Sequence, residues 1–168
     1  MKPFGYSLLV VALVALASVG IGAEEKEKAG AVSVADHHKV FDPASIEWGD
    51  PPPGFPAGAK FAVLSGDPGK KGVYTVRLQA PAGYKIQAHT HPTDELITVI
   101  SGTLHLGMGD KLDENGGDSI AAGSFTAMPA GMKHYAYFTE DTVVQVSGSG
   151  PFKIIYVNPA DDPRHATK

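Results

Sequence analysis

From Lys60 onward the chain never settles into a helical period. Short apolar runs alternate with turns built from glycine and proline, and the whole sequence holds 20 glycines and 13 prolines. Val73 to Ala80 alternates strictly: Tyr74, Val76 and Leu78 fall on one face, and Thr75, Arg77 and Gln79 on the other, the period of a half-buried strand. Similar runs span Phe61 to Leu64, Leu96 to Ile100, Thr103 to Gly109, Ser119 to Met128, Lys133 to Thr139, Thr142 to Ser147 and Phe152 to Val157. Turn-forming stretches separate them, at Ser65–Gly69, Pro81–Gly83 and the polar loop Asp110–Asp118. Strands at this spacing with no helical period predict an all-β barrel or sandwich.

Within that frame, the stretch from Gly83 to Gly102 carries the chemistry. His89 and His91 are one residue apart, so on a strand both imidazoles point to the same face. They stand roughly 7 Å apart at the backbone, close enough for both to reach one ion. Pro92 cannot donate to a ladder and ends or bends the strand, and Thr93-Asp94 suits a turn. Glu95 opens the next apolar run and is expected to face the histidines, with the two strands pairing around Pro92–Asp94. Two neutral imidazoles and a carboxylate suit Fe, Mn, Ni, Cu or Zn better than Ca or Mg. A later stretch, Gly123 to His134, holds a strand, a tight Pro129-Ala130-Gly131 turn and a histidine entering another strand, which supplies a fourth ligand. Asp94 has the opposite parity to Glu95 and is the weaker carboxylate candidate. His105 faces away from Leu104 and Leu106 and reads as a half-exposed strand residue.

These two stretches resemble the two motifs of the cupin superfamily. The first motif is met at Gly83, His89, His91, Glu95 and Gly102, the second at Gly123, Pro129, Gly131 and His134, with Phe138 where that family often has Asn. The resemblance implies a double-stranded β-helix, or jelly-roll barrel, over about residues 60–158. It also implies one divalent transition metal ion (Fe, Mn, Ni, Cu or Zn) on His89, His91, Glu95 and His134. One motif set implies a single barrel, and cupins commonly pair barrels edge to edge, so a homodimer is expected.

Outside the barrel, Lys2 followed by the apolar run Leu8 to Val19 and small residues up to Ala23 predicts a signal peptide over residues 1–23, with an uncleaved anchor over Tyr6 to Ala23 as the rival reading. A periplasmic or secreted protein with no membrane contact after cleavage is the expectation. Residues 24–59 form a charged tail and a Pro-rich strap, Asp50 to Gly58, which can be neither helix nor central strand. Residues 159–168 read as a C-terminal tail or arm. A formal charge of −4 with no basic stripe argues against nucleic acid as a partner. The absence of cysteine excludes disulfides, thiolate ligands and a lipoprotein anchor.

Parity places Ala136 and Phe138 on the face of His134, and Ile97 and Val99 on that of Glu95. The result is an apolar lining, although such residues also fill an ordinary barrel core. Three function classes stay open. The leading one is a secreted metal-dependent oxidoreductase, a dioxygenase on a small oxygen-bearing substrate, with Glu95 as ligand and general base. The second is a metal- or small-molecule-binding module without turnover, similar to the sensor cupins of zinc-containing anti-sigma factors; no helical partner-binding domain is seen to support it. The third, a sugar or keto-acid isomerase, is disfavoured by a lining short of paired polar groups.

Overall fold

The computed structural model describes residues 38–165, so the expected signal peptide at 1–23 and the start of the charged tail lie outside the described residues. Among the described residues, ten strands follow the Pro-rich segment. They are β1 (Lys60–Ser65), β2 (Gly72–Ala80), β3 (Lys85–Thr90), β4 (Glu95–Ser101), β5 (Thr103–Met108), β6 (Asp118–Ala121), β7 (Phe125–Met128), β8 (His134–Tyr137), β9 (Thr142–Gly150) and β10 (Ile155–Tyr156). The alternation read in β2 is realised: Tyr74, Val76, Leu78 and Ala80 are buried, while Thr75 and Arg77 reach across the outer face to Ser147 and Gln145 on β9.

The strands form two antiparallel sheets, ordered β1-β2-β9-β4-β7 and β10-β3-β8-β5-β6. Their pairing is nested: β2 with β9, β3 with β8, β4 with β7, and β5 with β6. Successive pairs fall in alternate sheets. The chain is therefore one long two-stranded ribbon, its tip at the polar loop 109–117, wound so that each turn passes from one sheet to the other. That is the double-stranded β-helix of a jelly roll, as expected. The inner faces meet in a core that includes Tyr74, Val76, Leu78, Ile97, Val99 and Leu104, each such side chain worth about 1.5–3 kcal/mol on burial.

Three local expectations are corrected. β3 and β4 do not pair with each other; β3 lies between β10 and β8, and β4 between β9 and β7. Pro92–Asp94 is a corner between sheets, where a residue without an N–H costs the ladder nothing, rather than a hairpin turn. The run Ser119 to Met128 is two strands, β6 and β7, separated by a turn in which Gly123 adopts φ 86°. Phe152 to Val157 supplies only the two residues of β10. Phe152 gives its N–H to the carbonyl of Pro68 instead of a ladder partner, at 2.7 Å.

The Pro-rich strap is tied down at both ends. Gly49 bridges to Phe61 on β1. Farther on, the carbonyls of Gly54 and Pro56 accept hydrogen bonds from the hydroxyls of Tyr156 (2.7 Å) and Tyr84 (2.8 Å). Beyond β10 the expected tail begins with two 3₁₀ turns, Pro159–Asp161 and Pro163–His165. Arg164 pairs with Asp162 and reaches back to the carbonyl of Ile154.

Candidate metal centre

The ribbon crosses from one sheet to the other at Pro92–Asp94 on one strand and at 129–133 on its partner. The four expected ligands sit on either side of this double corner: His89 and His91 before the first crossing, Glu95 after it, His134 after the second. Two hydrogen bonds lock the corners together. The N–H of Gly131 donates to the carbonyl of His91 at 2.8 Å, and that of Ala130 to Asp94 Oδ1 at 2.8 Å. Gly131 supplies the positive φ, 75°, that this tight turn needs. Asp94 is thus a structural clamp on the turn and faces away from the site.

His89 stands opposite His134 in the β3–β8 register. The nitrogen donor atoms of His89, His91 and His134 all lie within 4.8 Å of one another, and all three rings are buried. Each Nδ1 is held by a backbone carbonyl: His89 by Gln87 (2.6 Å), His91 by Lys153 (2.7 Å) and His134 by Met132 (3.0 Å). A carbonyl only accepts, so each Nδ1 carries a proton, and in the neutral ring the lone pair falls on Nε2. Glu95 Oε2 lies 3.5 Å from His91 Nε2 and 3.6 Å from His134 Nε2. These gaps are too long for hydrogen bonds, and His91 Nε2 is a buried polar atom with no partner among the described residues.

The donor set fits a transition metal ion. His89, His91 and His134 would supply three nitrogen donors, and Glu95, which stands beside two of them but outside that three-histidine group, would supply an oxygen. Backbone carbonyls behind metal-facing imidazoles are the usual outer support that fixes tautomer and ring orientation. Burial pushes His89 down to about 3, helped by the neighbouring His134 and His91, and it lowers His91 as well. Both are therefore neutral at physiological pH, the form in which an imidazole can bind a metal.

The site forms the floor of an apolar cavity of about 50 Å³, space for an ion and a few small ligand atoms. Ile97, Ala136 and Phe138 line it, as parity indicated, and they also belong to the core; Val99 is buried beside them. Phe138 is 2% exposed and packs against Tyr84, so the departure from Asn has become an apolar wall. Tyr84, Tyr135 and Tyr137 are engaged elsewhere. Tyr84 holds the strap, Tyr137 donates to the carbonyl of Glu114, and Tyr135 packs with Ala88 in a separate cluster. His105 stacks on Tyr137 and contacts Ser119 and Thr139.

Tyr74, Phe55 and Phe152 are lining residues that the sequence did not assign to the site. Tyr74 is pushed up to about 12 by burial and by the charge of Glu95. It lies against Gly148, the partner of Glu95 across β4–β9, where a Cβ would come within 2.7 Å of the tyrosine hydroxyl oxygen. Its alternation marked it as inward-facing, and only the β2–β9–β4 order puts it next to Glu95. Phe152 stacks on His91 with ring centroids 5.0 Å apart. Phe55 was hidden in a segment with no strand period.

Residues 36–153 match the family described as the ChrR cupin-like domain. The chain belongs to this cupin family. Among solved structures, the cupin is similar in fold to the polyketide cyclase RemF from Streptomyces resistomycificus, with a TM-score of 0.63, 14% identity, and coverage of 76% of this chain and 90% of that one. It is also similar to an acetylacetone dioxygenase from Acinetobacter johnsonii (TM-score 0.56, 19% identity, 72% and 78% coverage). KdgF from Halomonas sp. shares the fold too (TM-score 0.51, 19% identity, 66% and 94% coverage). At such identities the likeness speaks for the fold alone. No curated protein matches this cupin by sequence.

Proposed function

We propose that this cupin holds one divalent transition metal ion on His89, His91, Glu95 and His134, and that the loaded site is an oxidoreductase centre of the dioxygenase class for a small oxygen-bearing substrate. The observation that carries the reading is the convergence of three buried imidazoles, each with its Nδ1 proton committed to a carbonyl, around an unpartnered His91 Nε2. A transition ion bound there supplies Lewis-acid polarisation of a substrate oxygen and, as iron, access to dioxygen chemistry. The chain's own residues do the rest. Ile97, Phe138 and Phe152 exclude water, and Glu95 takes a proton from the substrate. The fold shared with an acetylacetone dioxygenase is compatible with this class. Oxygen uptake by the iron-loaded protein with small β-diketones and enediols tests it; no uptake with any of them under Fe, Mn, Ni or Cu loading leaves a metal-binding module without turnover. The small volume of the cavity is what favours that second reading.

The proposal includes export with loss of residues 1–23, which intact mass of the exported protein tests. It also includes a homodimer. Leu96, Ile100 and Phe125 are 40%, 41% and 61% exposed, and β7, which carries Phe125, is an outer strand of its sheet of the kind that proteins cover. Light scattering at micromolar concentration is expected to give twice the chain mass, and Phe125→Asp to shift it toward the monomer; a wild-type monomer contradicts the dimer.

A further inference from the structure

Most residues lining the cavity are buried. Phe55, Pro68 and Phe152 are the exceptions, each partly exposed, so they mark its mouth. They come from three separate segments: the Pro-rich strap, the β1–β2 turn and the β9–β10 connection. They are also joined to one another. The N–H of Phe152 donates to Pro68, and the Phe55 and Phe152 rings stack at 5.8 Å and 12°. Phe152 in turn stacks on His91 and meets Tyr74 edge-on. A column of aromatic rings thus runs from the strap down to a ligand of the expected metal.

The strap is held on each side of Phe55. Tyr156 donates to the carbonyl just before it and Tyr84 to the carbonyl just after it. Both tyrosines are buried in the core, with only their hydroxyls spent on the strap. A proline-rich segment offers few N–H groups for a ladder, so these two side-chain bonds fix the height of Phe55 above the cavity.

We propose that Phe55 and Phe152 form an aromatic sieve that sets the upper size of any molecule reaching the histidine cluster, with Tyr84 and Tyr156 as positioning residues that latch it. The sieve rests on the reading of the cluster as a metal site. It admits ligands of a few non-hydrogen atoms and turns away ring-sized ones until the strap lifts. Phe55 is the movable half, because among the described residues its segment has no strand pairing beyond Gly49 and the contact between Pro53 and Phe55 themselves. Phe152 is the fixed half, anchored through Pro68 and followed directly by Lys153, whose carbonyl holds His91.

The experiment is titration of the cobalt(II)-loaded full chain with azide and with 4-nitrocatechol, followed through the visible cobalt bands. Wild type is expected to bind azide and to bind 4-nitrocatechol poorly. Phe55→Ala is expected to tighten 4-nitrocatechol by about 10-fold or more while azide changes by less than about 3-fold. Phe55→Leu should fall between the two. Tyr84→Phe/Tyr156→Phe leaves every ring in place and removes only the latch; it should tighten 4-nitrocatechol by at least about 3-fold, in keeping with the loss of two hydrogen bonds. This variant decides the matter even if Phe55→Ala fails to fold. Equal affinities across the series, or azide and 4-nitrocatechol tightening in parallel, overturn the sieve while leaving the metal site standing. A chain that takes up no cobalt overturns the metal reading and the sieve with it.

Discussion

His91 Nδ1 lies 2.7 Å from the carbonyl oxygen of Lys153, a residue in the β9–β10 connection at the far end of the barrel sequence. This bond sets the tautomer of the imidazole and turns its Nε2 toward Glu95 and His134. It also couples the site to the mouth, since Lys153 directly follows Phe152, whose ring lies against His91. One short connection therefore orients a histidine of the candidate site and roofs the cavity above it.

Glu95→Gln separates ligation from proton transfer. The amide keeps the size and one ligating oxygen but has no basic charge. Metal is expected to bind, more weakly, while turnover falls by about 10²–10⁴ if the carboxylate is the general base. Turnover that simply follows metal occupancy would show that Glu95 is only a ligand.

Phe138→Asn places the residue common in cupins into a wall built for an aromatic ring. The ring is 2% exposed and sits 6.0 Å from that of Tyr84. Loss of its volume together with burial of an amide costs about 3 kcal/mol or more. Metal content should be retained, because Phe138 touches the cavity without supplying a donor. Denaturant midpoints measure the first effect and metal analysis the second; an unchanged midpoint contradicts the packing described here.

Asp162 reports on the C-terminal clasp. Hydrogen bonds from Arg164 hold its carboxyl down, from the ordinary 3.8 to about 2. A carboxyl lowered in the folded state contributes stability that is present above its unfolded value and lost as pH falls through the folded one. The pair should therefore stabilise the fold above about pH 4 and lose that contribution between about pH 4 and 2. Asp162→Asn should remove this part of the pH dependence, seen as a flatter plot of unfolding midpoint against pH. Equal slopes for the two proteins would show that the pair contributes nothing.

The fold and the candidate donors were legible because they depend on short-range rules. Alternation in β2 gives the buried face, His-x-His gives a shared face, and Pro129-Ala130-Gly131 gives the turn before His134. Pairing partners were not legible. The spacing of His91 and Glu95 suits a hairpin as well as a corner between sheets, and only the nested ribbon decides for the corner. The same limit hid Tyr74, whose neighbour Glu95 lies two strands away through β9. It also hid Phe55, in a segment whose prolines remove any strand period, and Phe152, which reads as the start of a strand while long-range packing fixes its ring.

The most direct test of the metal site is the metal content of the purified protein, measured by mass spectrometry of the elements, for wild type and for His89→Ala/His91→Ala. Loss of an outer-shell partner alone typically costs about 10–100-fold in affinity, and the double variant removes two ligands themselves. Wild type is expected to carry about one divalent transition ion per chain and the double variant less than about a tenth of that, both with the β-rich circular dichroism of the folded barrel. Stoichiometric metal in the double variant, or a wild-type protein that takes up none from Fe, Mn, Ni, Cu or Zn, contradicts the site.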